Sequence, residues 1–386
     1  YTGDRNQTPL YPFLQALFYN SKLSNEEYFA VGKHVNIMLS LVMLLVLFYI
    51  SRRYFSLHRA VILTLIVAFS LFIFKSPYFT AEITYYSLSF LAFLGMGWML
   101  ISPSPSKGVF TGIALGFAYY AKATILPAVV LFSFFFIIKE IWAIAKSVPK
   151  RKADIRNWIS YSLLVLVFLG ILFPYLHESK NRFGHYFYNQ NSTFFIWYDD
   201  FYAAKDDSEL YGYGQKWPDL PPDEVPSFQN YIRNHSLKEI GDRFVYGFGV
   251  QLNHVKNPYN RISFPLIYLL ILAFVMVQNI RGAWRSIVKY RYVVGFVILN
   301  FIAYIVLFAW YAPVAGGPRF IYSLFILYVF SVFLAIKIIE KNNQLSVSDL
   351  GIISMNKAID IVILAMLVAN YYFVLTSRMP SGYFGS

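Results

Sequence analysis

The sequence predicts an all-α polytopic membrane protein, about ten transmembrane helices with one large segment outside the bilayer, on three observations. First, apolar runs recur near residues 33–51, 58–74, 85–101, 108–121, 123–138, 158–176, 262–278, 292–310, 320–336 and 358–376. Each approaches the roughly 20 residues that a spanning helix needs. Second, the charge of the connections alternates. Those after the first, third, fifth, seventh and ninth runs hold seventeen bases against five acids, so +12 of the formal +13 lies on one side. The positive-inside rule makes that side cytoplasmic. Third, hydrophobic residues make up 58% and charged residues 14%, with a mean hydropathy of +0.50, outside the range of soluble globular domains. The basic balance is therefore a topology signal, and no nucleic-acid partner is read from it. The chain has no Cys, which excludes disulfides and thiolate metal sites.

Taken in order, the chain opens on Tyr1-Thr2-Gly3-Asp4-Arg5, with neither an initiator Met nor a signal peptide. The charge alternation puts residue 1 outside the cytoplasm, so one more transmembrane helix is expected upstream. Residues 1–32 form the first outer stretch. There Pro9 and Pro12 bar a regular helix through the Thr8-Pro9-Leu10-Tyr11-Pro12 turn, and Phe13 to Tyr19 predicts an interfacial helix. The basic linker 139–157, with Lys150-Arg151-Lys152, reads as a lipid-headgroup anchor. The second outer stretch, residues 177–261, runs for about 85 residues, far beyond an ordinary connection, and is rich in Trp and Tyr. The whole of 1–386 is expected to be one membrane domain. No Walker loop and no GxGxxG occurs, so ATP-driven transport is not expected.

Ionisable residues at the outer helix ends are the candidates for chemistry. Glu82 opens the third span, where the helix dipole alone also favours an acid. Lys122 sits in the tight hairpin Tyr119-Tyr120-Ala121-Lys122-Ala123, against the local charge bias, either holding an anion or snorkelling. Arg319 follows Gly316-Gly317-Pro318 where the chain re-enters the membrane, and a guanidinium suits bidentate phosphate recognition. Two cations facing a carboxylate would suit a phosphate-bearing lipid beside a general base. Asp4 is the acid available before the Pro-Leu-Tyr-Pro turn. In the long outer stretch, Trp197, Tyr198, Asp199 and Asp200 interleave acids with aromatics, as stacking on a sugar requires; an ordinary polar loop has the same composition. His177, His185, His235 and His254 lack metal-ligand spacing, so no metal site is expected. Three N-x-S/T sequons, at Asn6, Asn191 and Asn234, fall in outer stretches.

Thr8-Pro9-Leu10-Tyr11-Pro12 with its aromatic helix resembles the first outer loop of the GT-C membrane glycosyltransferases. The nearest branch is the bacterial one similar to protein O-mannosyltransferases and lipid A aminoarabinose transferases. Gly112 to Lys122 is similar to that branch's Gly-x-x-x-Gly hairpin, with Ala121 where Thr is usual. Gly317-Pro318-Arg319-Phe320 is similar to the Arg-Tyr that opens a late helix, with Phe in place of Tyr. The resemblance implies transfer of a sugar from a polyprenyl-phosphate donor to a lipid, glycan or protein acceptor on the extracytoplasmic face, in a bacterial inner membrane. It implies an inverting displacement with no cofactor, Lys122 and Arg319 on the donor phosphate and Glu82 orienting groups. Tyr11, Trp197, Tyr198, Asp199 and Asp200 fall to the acceptor and sugar. The family's catalytic acid lies upstream of the Pro-Leu-Tyr-Pro turn, so the base is expected before residue 1, with Asp4 as the fallback. A lipid-linked oligosaccharide polymerase or ligase is the first alternative, and a secondary transporter or flippase the second. The transporter should show charges at mid-membrane in repeat-related broken helices, which the sequence lacks.

Overall fold

A computed structural model describes residues 8–146, 153–212, 216–217, 220–256, 265–317, 319–343, 361, 364, 365 and 368. Every regular element among them is a helix. The first are α1 (Leu10–Ala16), α2 (Asn25–Tyr54), α3 (Leu57–Val67), α4 (Ile73–Lys75, after a π turn at Ala68–Phe72), α5 (Glu82–Ile101) and α6 (Pro105–Ala121). Then come α7 (Leu126–Lys146), α8 (Ala153–Phe183), α9 (Gln190–Thr193), α10 (Phe201–Leu210), α11 (Phe228–Asn234) and α12 (Leu237–Lys256). The series ends with α13 (Pro265–Gln278), α14 (Ile280–Lys289), α15 (Arg291–Ala315), α16 (Arg319–Tyr322) and α17 (Phe325–Asn343).

Nine of the ten apolar runs fall on these helices; the tenth, 358–376, lies mostly outside the described residues. Among the described residues, five helical stretches are long and apolar enough to cross a membrane: Asn25–Tyr54, Glu82–Ile101, Ala123–Ala145, Ile155–Phe183 and Arg291–Ala315. Leu57–Phe72 and Tyr268–Gln278 are apolar but shorter. The first stretch differs from expectation. Helix α1 already starts at Leu10, because Pro9 caps it and Pro12 falls in its first turn, where a missing N–H costs nothing.

The described residues cluster into two compact units. One comprises Asn20–Ile83, Asn257–Lys289 and Phe325–Ser386. In it Ser24 and Glu27 form a reciprocal capping box that starts α2. Arg59 of α3 grips Glu340 of α17 through two bonds of 2.8 and 3.1 Å, a planar fork on a carboxylate. Tyr54 and Phe55 set their rings edge-on to Phe330.

The other unit comprises Tyr1–Tyr19, Thr84–Lys256 and Tyr290–Leu324. Its most extensive helix pair is α6 on α8. A Cβ on Gly108 would stand 2.1 Å from the Ser160 carbonyl oxygen, and one on Gly112 2.7 Å from that of Leu164. Small residues at this four-residue spacing let two helix backbones touch, which aqueous hydrophobic collapse does not supply inside a bilayer. A second close pair is α12 on α15. Pro313 has no N–H to give the Ala309 carbonyl one turn back, and Gly247 of α12 backs onto that carbonyl, where a Cβ would come within 1.9 Å. Gln251 of α12 donates to the Phe308 carbonyl at 3.1 Å.

The described part of the 177–261 segment is largely helical. Phe183, Tyr188, Phe194, Phe195 and Trp217 bury one another together with Val314 of α15. Phe183 stacks on Tyr188 with ring centroids 4.0 Å apart, and Ala204 of α10 is buried in the same cluster. Aromatic density that reads as a sugar platform in sequence is largely spent on holding the segment together.

Candidate functional site

Lys122 and Arg319 are far apart in sequence and lie against one ring. Helix α6 ends at Ala121, and Lys122 turns extended while its N–H still bonds the Ala118 carbonyl at 2.8 Å. A short 3-10 turn, Ala123–Ile125, then launches α7, so the lysine marks the tip of a hairpin. Its Nζ lies 5.4 Å from the centre of the Phe320 ring and 6.0 Å from that of Tyr85, with the lysine half-buried. Arg319 begins α16 with its guanidinium carbon 5.2 Å from the same Phe320 ring, exposed. Phe320 itself is buried.

Backbone contacts position both cations. The Thr8 hydroxyl donates to the Ala121 carbonyl at 2.7 Å, tying the Pro-Leu-Tyr-Pro turn to the residue before Lys122. The Tyr86 hydroxyl donates to the Arg319 carbonyl at 2.9 Å. The main chain of Arg319 is thus held while its head group is exposed. Neither Gly316 nor Gly317 has a left-handed φ; Gly316 supplies room, since a Cβ there would come 3.1 Å from the Ala312 oxygen. Glu82 is the first residue of α5, the helix that carries Tyr85 and Tyr86, and it is buried.

The second predicted group meets a different environment. Arg243 of α12 is buried, and its guanidinium bonds Asp199 Oδ1 at 2.6 Å, the Tyr231 hydroxyl at 3.0 Å, and the carbonyls of Trp310 and Ile196 at 2.8 and 3.2 Å. It also lies over the Trp310 ring at 4.4 Å. The second Asp199 oxygen faces His235 Nε2 at 2.8 Å, and Tyr231 donates to Asp199 at 2.7 Å. Partial burial pushes the Asp199 carboxyl up, but the Tyr231 and His235 hydrogen bonds and the Arg243 charge outweigh it. The net shift is downward. Trp197 is half-buried against the rings of Phe228, Tyr231 and Trp310. Tyr198 donates to Asp207 at 2.8 Å, and burial followed by that bond raises its phenol. Asp200 caps α10 by accepting from the Ala203 N–H at 2.9 Å, and Tyr11 is buried, accepting from Gln15 at 2.9 Å. Asp4 lies outside the described residues. Among those residues, no group of three or more His, Asp or Glu gathers as metal ligands would.

Sequence reasoning singled out Lys122 and Arg319 and missed Arg243, Tyr231 and Trp310. A signal existed. Arg243, Gly247 and Gln251 recur at one-turn spacing, which puts the arginine on the face of α12 that packs against α15.

Span-length apolar helices mark an integral membrane protein. Residues 6–176 match the family model of dolichyl-phosphate-mannose-protein mannosyltransferases, which supports a GT-C superfamily membrane glycosyltransferase and a role in glycosyl transfer. No curated protein and no solved structure matches the chain. The matched stretch contains α1, the Glu82 helix and the Lys122 hairpin.

Proposed function

We propose that this protein transfers a sugar from a polyprenyl-phosphate donor to a lipid, glycan or protein acceptor on the extracytoplasmic face of a bacterial inner membrane. The observation that carries the reading is the convergence of Lys122 and Arg319 on the Phe320 ring, inside a unit whose N-terminal part matches a mannosyltransferase family. Two cations within reach of one anion stabilise charge that grows on a leaving group. In this scheme a base takes the proton of the acceptor hydroxyl, and the hydroxyl oxygen attacks the anomeric carbon. The bond from that carbon to the phosphate oxygen breaks, and the polyprenyl phosphate leaves on Lys122 and Arg319. The base is assigned to an acid of the first outer stretch, for which Asp4 is the candidate in this sequence, and Glu82 to orienting groups near the reacting centre. Residues 177–261 cover the acceptor from outside, with the exposed edges of Asp199 and Asp200 available to it, in a chain of about ten spans as read from the loop charges.

Two measurements test this. Membranes carrying the chain are supplied with a polyprenyl-phosphate sugar labelled in the sugar, and label should reach an acceptor in wild type but fall in Lys122→Ala and Arg319→Ala. Orientation is read by thiol labelling of Tyr202→Cys, a position 71% exposed in a chain without other cysteines. Labelling of intact cells from outside is expected. Labelling only after the inner face is opened would overturn the topology.

A further inference from the structure

We propose that α14 is a membrane-surface helix that beds its apolar stripe among acyl chains and holds anionic lipid headgroups with Arg281, Arg285 and Lys289. Three stripes run along its ten residues. Gly282, Ala283 and Ser286 are buried, and the helix packs against α17. Ile280, Trp284 and Val288, each one turn from the next, are 70%, 66% and 44% exposed. The three cations sit one residue further along and form an exposed stripe on one flank of the apolar one.

The start of the helix is fixed. Asn279 accepts from the Gly282 N–H at 3.1 Å and donates to the Ile339 carbonyl of α17 at 3.1 Å. The small-residue face is thereby turned to α17 and the other two stripes outward. The apolar stripe also has a source, since Leu270, Phe274 and Val277 of α13 are exposed just ahead of it.

An exposed Trp on an apolar stripe is costly in water. Ten residues with three cations are too short and too charged to span a bilayer. A tryptophan with flanking cations fits the headgroup boundary, where an indole is half apolar and half wet. Charge selects the lipid. No Asp or Glu occurs from Pro265 to Tyr292, so every charge this stretch offers is basic and complements an anionic headgroup.

Full-length protein with a spin label at Trp284→Cys, and separately at Val288→Cys, is placed in nanodiscs of phosphatidylcholine with or without phosphatidylglycerol. Both labels should relax faster with oxygen than with a water-soluble nickel chelate. Native mass spectrometry should show retained phosphatidylglycerol, with each of Arg281→Gln, Arg285→Gln and Lys289→Gln lowering retention by up to about fivefold. Labels reached by nickel as readily as a surface loop would overturn the proposal. So would labels shielded from both reagents, which would mean a protein partner covers the stripe. Equal retention of the neutral and anionic lipids would remove the headgroup assignment even if the labels lie at the boundary.

Discussion

Arg243 and Arg319 belong to the same compact unit, and each lies against an aromatic ring, but their surroundings differ. The Arg243 guanidinium is buried among a carboxylate, a phenol and two carbonyls, with Trp310 beneath it. Arg319 has its carbonyl held by Tyr86 and its guanidinium exposed beside Phe320, with Lys122 approaching the same ring. A buried cation with four hydrogen bonds to the protein holds structure together. In the proposed function, a cation whose backbone is fixed and which is itself exposed is the one that meets the donor phosphate. The first arginine ties the 177–261 segment to α15, and the second presents charge.

The largest effect expected from this contrast is on stability. Arg243→Ala removes four hydrogen bonds, those to Asp199, the Tyr231 hydroxyl and the Trp310 and Ile196 carbonyls, together with the ring contact to Trp310. Asp199 is 54% exposed, so the ion pair itself adds at most about 1 kcal/mol, and the lost hydrogen bonds and ring contact bring the expected cost to about 2–3 kcal/mol. Thermal unfolding in detergent should show it as a clear drop in the transition temperature. Arg319→Ala should leave that temperature in place, and a comparable drop there would erase the distinction.

A smaller effect is expected at the tether between the first polar stretch and the hairpin. Thr8→Val removes the hydroxyl that bonds the Ala121 carbonyl and keeps the shape of the side chain. The loss should be about 1 kcal/mol, read in thermal unfolding. Because the bond sets the residue before Lys122, donor affinity should weaken with it, whereas no such coupling is expected for Arg243.

The smallest effect is acid dependence around Asp199. Its carboxyl titrates lower in the folded protein than in the unfolded chain, so its contribution is present above the usual Asp pKa of about 3.9. It is lost as pH falls through the lower, folded value. Wild type should therefore lose a little stability below about pH 4 that Asp199→Asn has already lost at neutral pH. Parallel pH curves for the two proteins would show that the carboxylate adds nothing to the Arg243 tie.

The helices were legible in the sequence because long apolar runs leave the backbone no other way to satisfy its hydrogen bonds in lipid. Lys122 and Arg319 were legible for a related reason, as charges are rare and costly at the ends of such runs. The interior of 177–261 was not. Trp197, Tyr198 and Asp200 have the composition of a sugar platform, and only their partners show that a ring cluster, an Asp207 bond and a helix cap occupy them. Arg243 was hidden for the opposite reason: on a helix with Lys238, Glu239 and Asp242 it reads as one more surface charge. The start of α1 was misplaced because a proline in a first turn looks the same in sequence as a proline that ends a helix.

The most direct test of the account is the affinity of a polyprenyl phosphate for four purified proteins: wild type, Lys122→Ala, Arg319→Ala and Tyr202→Ala. If the two cations hold the phosphate, each of their losses should weaken binding by about 1.5–3 kcal/mol, roughly 10- to 150-fold in Kd. The Tyr202 variant, altered at an exposed position of the 177–261 segment, should bind as wild type does. Unchanged affinity in both Lys122→Ala and Arg319→Ala, with the proteins folded, would contradict the assignment.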